Sequence, residues 1–183
     1  MHRTILTFLG ILGFLTSFSQ VSKKSTGKYL PGKFASLKYD KVIAYDFDGS
    51  KQVIVSLGKL QDSLIKKKVT LSSQQIDTLQ SFLFNTNSYG VLPDFNSKGG
   101  HLGIVYFSNN KIIGHITISL EENRVIVANF DIPASSFKKI KYPGQTYYVN
   151  AEGFSVTGQE KIKSFCKSLG FLYGEYELSS KSK

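Results

Sequence analysis

Asp46-Phe47-Asp48-Gly49-Ser50 closes the apolar run "VIAYDF". Two carboxylates two residues apart at the end of such a run could carry phosphoryl chemistry. The first would attack phosphorus, the second would move the proton, and both would hold Mg²⁺. D-x-D-G also opens calcium loops, whose oxygen ligands continue at alternate positions and end in a bidentate carboxylate. Here Lys51, Gln52, Val53 and Ile54 follow Ser50, so that cage is incomplete and a cation stands beside it.

The other chemistry-bearing residues are sparse. Beyond the N-terminal stretch two histidines remain, His101 and His115. A Ser/His/Asp hydrolase set can be written from Ser119 or Ser97, His115 and Asp94, but no G-x-S-x-G setting presents either serine as a nucleophile. Zinc needs three or four ligands, and two histidines with one cysteine fall short, so neither metal nor cofactor is expected. Cys166 belongs to the stripe Ile162, Phe165, Cys166, Leu169, which is helical spacing and reads as a core thiol.

The elements that would position these groups follow from pattern and punctuation. Lys41 to Phe47 alternates as a strand, and Asp48-Gly49 signals a two-residue hairpin turn with Ser50 to Leu57 returning. That register sets Asp46 opposite Lys51 as an ordinary cross-strand ion pair. A short strand is expected between residues 58 and 71. Ser72 and Gln75 make a capping box, Leu71 and Ile76 a hydrophobic staple, for a helix from Ser73 to Phe84. "HLGIVYFSNNKIIGHITISL" is a hairpin about Asn109-Asn110, with Phe107 facing Ile112, Val105 facing Gly114 and Gly103 facing Ile116. On this register His115 shares the mixed face with Thr117 and Ser119. Arg124 to Phe130 adds a third strand to the meander. Residues 131 to 154 read as irregular, with a short strand at Tyr147 to Val149. A second helix is capped by Ser155 or Thr157 and ends at Gly170, and Phe171 to Leu178 is a candidate last strand.

Asp46 to Ser50 resembles the nucleophile motif of haloacid-dehalogenase-like phosphatases. That family implies a parallel sheet with helical crossovers, a downstream Lys and a late acidic pair after an apolar strand. A β run follows Asp48-Gly49 at once, leaving no room for a crossover. Glu121-Glu122 lies between antiparallel strands. Asp46 is therefore expected to be a strand residue beside a turn, not a nucleophile.

A longer resemblance runs over roughly residues 41 to 171. "SYG" (Ser88 to Gly90), "HLGIVYFSNNKIIGHITISL" and "GFSVTGQEKIKSFCKSLGF" resemble a group of small secreted bacterial proteins of unknown function. Those proteins carry one Cys before the first strand and two at the end of the next. This chain has Phe95 near the first position and Ser119 and Glu122 at the others. The resemblance implies export and a small domain, and brings no activity with it.

Export is also read from the N-terminus. Met1-His2-Arg3 precedes the uncharged stretch Ile5 to Phe18, which is short of the about 20 residues of a membrane span. Ser17 and Ser19 stand at the small positions of a signal-peptide cut before Gln20. Residues 1–19 are thus expected to leave, with no transmembrane segment afterwards and a periplasmic or extracellular destination. Residues 20–40 read as a loose segment, 41–178 as one α+β domain, and 179–183 as a tail. The expected architecture is an antiparallel sheet, a hairpin followed by a three-stranded meander, with two helices packed on it.

The chain carries 23 basic and 13 acidic residues, of which 21 are Lys and two, Arg3 and Arg124, are Arg. Specific base reading leans on the guanidinium fork, so sequence-specific nucleic-acid binding is not expected. Lys66-Lys67-Lys68 and Lys138, Lys139 and Lys141 are the densest runs. They are either solvated faces or the contact for an anionic surface, a polysaccharide or an acidic protein. The function expected is a non-enzymatic exported binding module; the alternative is a hydrolase built on the His115 face from His115, Ser119 and Asp94.

Overall fold

A computed structural model describes residues 28–29, 37–49, 53–92, 100–119, 121–130, 132 and 137–171. The expected leader, Lys51, Asp94, Ser97, the expected strand after Phe171 and the expected tail lie outside these described residues. The strands are β1 (Lys28–Tyr29), β2 (Lys38–Tyr39), β3 (Lys41–Gly49), β4 (Val55–Ser56), β5 (Lys59–Leu60), β6 (Ile65–Thr70), β7 (Tyr89–Val91), β8 (Gly100–Ser108), β9 (Lys111–Ser119), β10 (Arg124–Ala128), β11 (Phe137–Tyr142), β12 (Gln145–Asn150) and β13 (Gly153–Phe154). The helices are α1 (Ser73–Leu83) and α2 (Val156–Ser168). Neither is long and apolar enough to cross a membrane.

Seven strands form one sheet in the order β11-β12-β10-β9-β8-β3-β6, and every described strand pairing is antiparallel. The α+β class and the β8-β9-β10 meander are as expected. The sheet is larger than a hairpin plus a meander, because residues 131–154 supply the β11–β12 hairpin where irregular chain was expected. Within the segment expected to be loose, β1 pairs with β2 and Tyr39 is buried.

The hairpin expected about Asp48-Gly49 does not form. β3 lies between β8 and β6, while β4 turns back onto β5 instead. The reason lies in β3 itself. Val42 and Ala44 are buried on one side, Tyr45 and Phe47 on the other, and a strand apolar on both faces needs a neighbour along each edge and cover on each face. The local turn signal loses to that burial.

The helices cover one face. Val42, Ala44, Leu102, Ile104, Ile116 and Ile118 meet the apolar sides of α1 and α2 in the larger core. Phe82 of α1 meets Phe165 of α2 edge to face at 6.0 Å. The Ser72 hydroxyl accepts from the Gln75 backbone N–H (3.2 Å) while the Gln75 side-chain Oε1 accepts from the Ser72 backbone N–H (2.8 Å), so the expected capping box is complete. Ser155 caps α2 by accepting from the Gly158 N–H at 3.2 Å. At its other end Gly170 takes φ +64°, Gly170 N–H donates to Lys167 (2.9 Å) and Phe171 N–H to Cys166 (3.0 Å), which closes a Schellman motif.

The opposite face carries a second, smaller core. Tyr45, Phe47, Val105 and Phe107 are covered by Ile54 and Val55 and by partly buried Leu60, Leu64 and Ile65. The segment from 53 to 65 is thus a lid of short turns on the sheet, and it sets up the site described next.

Candidate functional site

A bulge in β9 places His115. Phe107 faces Ile112 as expected, but Tyr106 faces Gly114 and Val105 faces His115, so Ile113 is the extra residue. The expected pairings Val105–Gly114 and Gly103–Ile116 are each displaced by one. The slip moves His115 onto the face of Val105, beneath the 53–65 segment, and turns Gly114, Ile116 and Ile118 toward the helices.

Ile54 anchors the covering segment. Its N–H donates to Thr117 Oγ1 at 3.2 Å, and its carbonyl accepts from Gln61 N–H at 3.0 Å. Between those bonds the chain runs out through β4, turns at Leu57-Gly58 (φ +48° and +75°) and returns through β5. The β11–β12 turn, with Gly144 at φ +78°, approaches the same place. A cavity of about 270 Å³ lies among these elements. Val55 and Gly58 line it from the first turn, Gln145, Thr146 and Tyr147 from the second, and Ile112, His115 and Asn129 from the sheet.

His115 is 5 % exposed. Its backbone N–H donates to Asn129 Oδ1 (2.6 Å), and its carbonyl accepts from Asn129 N–H (3.2 Å), so Asn129 clamps the strand from both sides. The side-chain Nδ1 is buried and has no hydrogen-bond partner. Burial pushes the imidazole pKa down to about 4, so the ring is neutral at physiological pH. A buried nitrogen left without a partner costs about 1–3 kcal/mol, and five other buried side-chain polar atoms among the described residues, the Tyr106 hydroxyl one of them, share that state.

The structure does not bring the hydrolase set together. Ser119 is four residues from His115 on the same strand, roughly 13 Å along it, and its hydroxyl accepts from Glu122 N–H at 3.1 Å. Asp94 lies outside the described residues. His101 stands apart, 3.7 Å from Glu121. No cluster of three or more His, Cys, Asp or Glu suited to a metal occurs among the described residues.

The lysine runs fall on the two edges of the seven-stranded sheet: Lys66, Lys67 and Lys68 on β6, Lys138, Lys139 and Lys141 on β11. Six strand spacings separate those edges, roughly 29 Å, so the runs do not make one surface. Cross-strand pairing also splits each run between faces, with Lys67 opposite Asp46 and Lys68 opposite Tyr45. Lys67 Nζ donates to the Gly170 carbonyl at 2.7 Å, and Lys66 lies 3.8 Å from Asp48. Arg124 is committed to Glu122 at 2.7 Å.

Lys51, the partner expected for Asp46, lies outside the described residues. Asp46 is 4 % exposed in β3, next to the edge strand β6, opposite Lys67 and Leu102, and the ladders on both sides of it slip just beyond. The antiparallel frame around it is not the parallel sheet that the phosphatase motif implies.

The sequence singled out His115 and its shared face with Thr117 and Ser119, but the expected register set that face beside the wrong residues of β8, and it missed Asn129, Tyr147 and Ile54. One signal was available: Gly103, isolated in a β-rich run, marks a close approach by another element. The chain matches no protein-family model, no curated protein and no solved structure.

Proposed function

We propose that this chain is an exported, non-enzymatic binding protein whose ligand site is the cavity at His115. The observation that carries this is the cavity of about 270 Å³ itself, held between two turns and the sheet and lined by His115, Asn129, Gln145, Thr146 and Tyr147 beside Val55 and Ile112. A concave site that combines apolar surface with a few polar groups is the usual setting for a small ligand. The N-terminal stretch and the resemblance to small secreted proteins support export. The surroundings support binding: Ser119 is engaged by the Glu122 backbone and lies four residues down the strand.

The test is a fragment mixture titrated into the ¹⁵N-labelled protein at pH 7. Saturable shifts should cluster on Val55, Gly58, Ile112, His115 and Asn129. Shifts that fall elsewhere, or none, would overturn the assignment of the site. Export is tested separately: the mature protein should begin at or within a few residues of Gln20, and full-length chain in the cytosol would sink it.

A further inference from the structure

We propose that the outer edge of β11 takes up an extended acidic peptide as an added strand, read by Lys139 and Lys141 on one face and by Ile140 on the other. This site is separate from the cavity and does not depend on it.

The hairpin presents the edge. β11 pairs with β12 over all six of its residues, from Phe137 with Asn150 to Tyr142 with Gln145. β12 in turn meets β10 at one register position, Ala128 with Tyr148. The hairpin therefore reaches out from the body of the sheet, and β11 ends the strand order. In an antiparallel ladder every second residue turns its N–H and C=O away from the partner strand. On β11 those groups face outward along a stretch in which Lys138, Lys139, Ile140 and Lys141 are all exposed.

The charges on that stretch are available. Lys139 Nζ lies 5.9 Å from the centre of the Tyr148 ring, and among the described residues no ion pair holds Lys138, Lys139 or Lys141. On β6, by contrast, Lys67 donates to the Gly170 carbonyl and Lys66 stands beside Asp48. Of the two lysine-bearing edges, β11 is the one that offers its charge to a partner.

The spacing selects the partner. Lys139 and Lys141 share a face with Tyr148 and Thr146; Lys138 and Ile140 share the other with Val149 and Tyr147. An added strand repeats every two residues, roughly 6.8 Å, in step with β11. Acidic residues at alternate positions then meet Lys139 and Lys141. The apolar residue between them meets Ile140, an aliphatic side chain 38 % exposed in the middle of the basic run. The same lysines turn away a second copy of this edge, which would set lysine against lysine. A polysaccharide or a nucleic acid would answer the charge but would use neither the backbone edge nor Ile140.

Four probes test this against the ¹⁵N-labelled protein at pH 7. They are an end-blocked octapeptide of alternating Glu and Val, the same peptide N-methylated at every backbone amide, an octapeptide of alternating Lys and Val, and dextran sulfate. The Glu/Val peptide should give saturable shifts at residues 138–141 and slow their amide exchange. Each of the other three should bind there at least about tenfold more weakly. Lys139→Glu combined with Lys141→Glu changes two exposed side chains and should leave the melting temperature nearly unchanged. It should weaken the Glu/Val peptide by about tenfold or more and strengthen the Lys/Val peptide. Equal binding of the N-methylated peptide or of dextran sulfate at β11 would reduce the edge to a contact for any anionic polymer and overturn strand addition. Shifts centred on β6, or none with the Glu/Val peptide, overturn the choice of edge. An unchanged preference in the double variant overturns the reading by charge. The shifts expected of fragments at His115 and Asn129 are independent of all these, so the two sites stand or fall separately.

Discussion

Ile54 occupies the space that a side chain at Gly103 would need. A Cβ added to Gly103 would lie 2.5 Å from Ile54 Cγ1 and 2.7 Å from its Cβ, both atoms close to the backbone of the covering segment. Ile54 is fully buried there and is tied by its N–H to Thr117. The whole of the 53–61 excursion is thus registered on β8 and β9 by one glycine and one hydroxyl. Gly103→Ala should therefore cost about 1–3 kcal/mol, the usual penalty of overpacking, and should loosen the turn at Leu57. Urea unfolding reads the first effect and amide exchange at residues 55–60 the second. An alanine variant as stable as the parent would show that the segment slides freely.

His115 makes stability depend on pH in a definite direction. The unfolded imidazole titrates near pH 6.5 and the folded one at about 4. Between those values the unfolded chain binds the proton and the folded chain does not. The contribution of the neutral ring is therefore whole above pH 6.5 and is lost as pH falls to about 4. The loss is on the order of 3 kcal/mol from the difference between the two values. Denaturant midpoints at pH 7, 5.5 and 4.5 should fall, and His115→Gln should flatten that part of the profile. A His115→Gln profile parallel to that of the parent would assign the pH dependence to other groups.

The edge lysines lead to a prediction about self-association. Sheet edges offer unpaired backbone groups to other chains, and lysine is a common safeguard. β6 carries Lys66-Lys67-Lys68 in a run of six residues and β11 carries three lysines among six. Replacing Lys66 and Lys68 by Thr, or Lys138 and Lys141, should leave the unfolding midpoint within about 0.5 kcal/mol per site. Light scattering at fixed concentration should nonetheless rise in each double variant. Retention on an anionic resin should fall only in part in each, since the edges are separate. Complete loss from either one alone would mean that a single edge is the anionic contact.

What was legible in the sequence follows the range of the interactions. Ser72 with Gln75, Asn109-Asn110 and Gly170 act within a few residues of themselves, so α1, the β8–β9 turn and the end of α2 are readable from spacing. Asp48-Gly49 has an equally local signal and fails, because β3 is apolar on both faces and takes its neighbours from β6 and β8. The bulge at Ile113 is invisible to a period-two count: both Ile113 and Gly114 suit a strand, and only packing of Phe130 and Leu37 against Gly114 favours the slip. That single residue set His115, together with Thr117, on the face of Val105 instead of that of Tyr106. The cavity was harder still, since Val55, Asn129 and Tyr147 are brought together by three separate turns.

Asp46 provides the last prediction, because its burial reverses what its sequence context suggested. A carboxylate in an exposed cross-strand pair contributes roughly 0.2–1 kcal/mol. Asp46 is instead 4 % exposed, stands opposite Lys67 in the ladder and lies near Cys166. Burial, with the Asp46 charge adding to it, pushes the Cys166 thiol up to about 12. Asp46→Asn should cost about 1–3 kcal/mol, as expected when a buried charged partner is removed. Asp48→Asn should stay within about 0.5 kcal/mol, because Asp48 is exposed and only 3.8 Å from an equally exposed Lys66. Cys166 should remain unreactive toward iodoacetamide in the folded Asp46→Asn protein, since burial is the larger cause of its high pKa, and should react on unfolding. Urea curves for the two asparagine variants settle the ranking. Equal costs would return Asp46 to the surface role read from the sequence. Mg²⁺-dependent hydrolysis of a simple phosphate ester, lost in Asp46→Asn with the fold intact, would instead show that the Asp-Phe-Asp-Gly-Ser motif is catalytic after all.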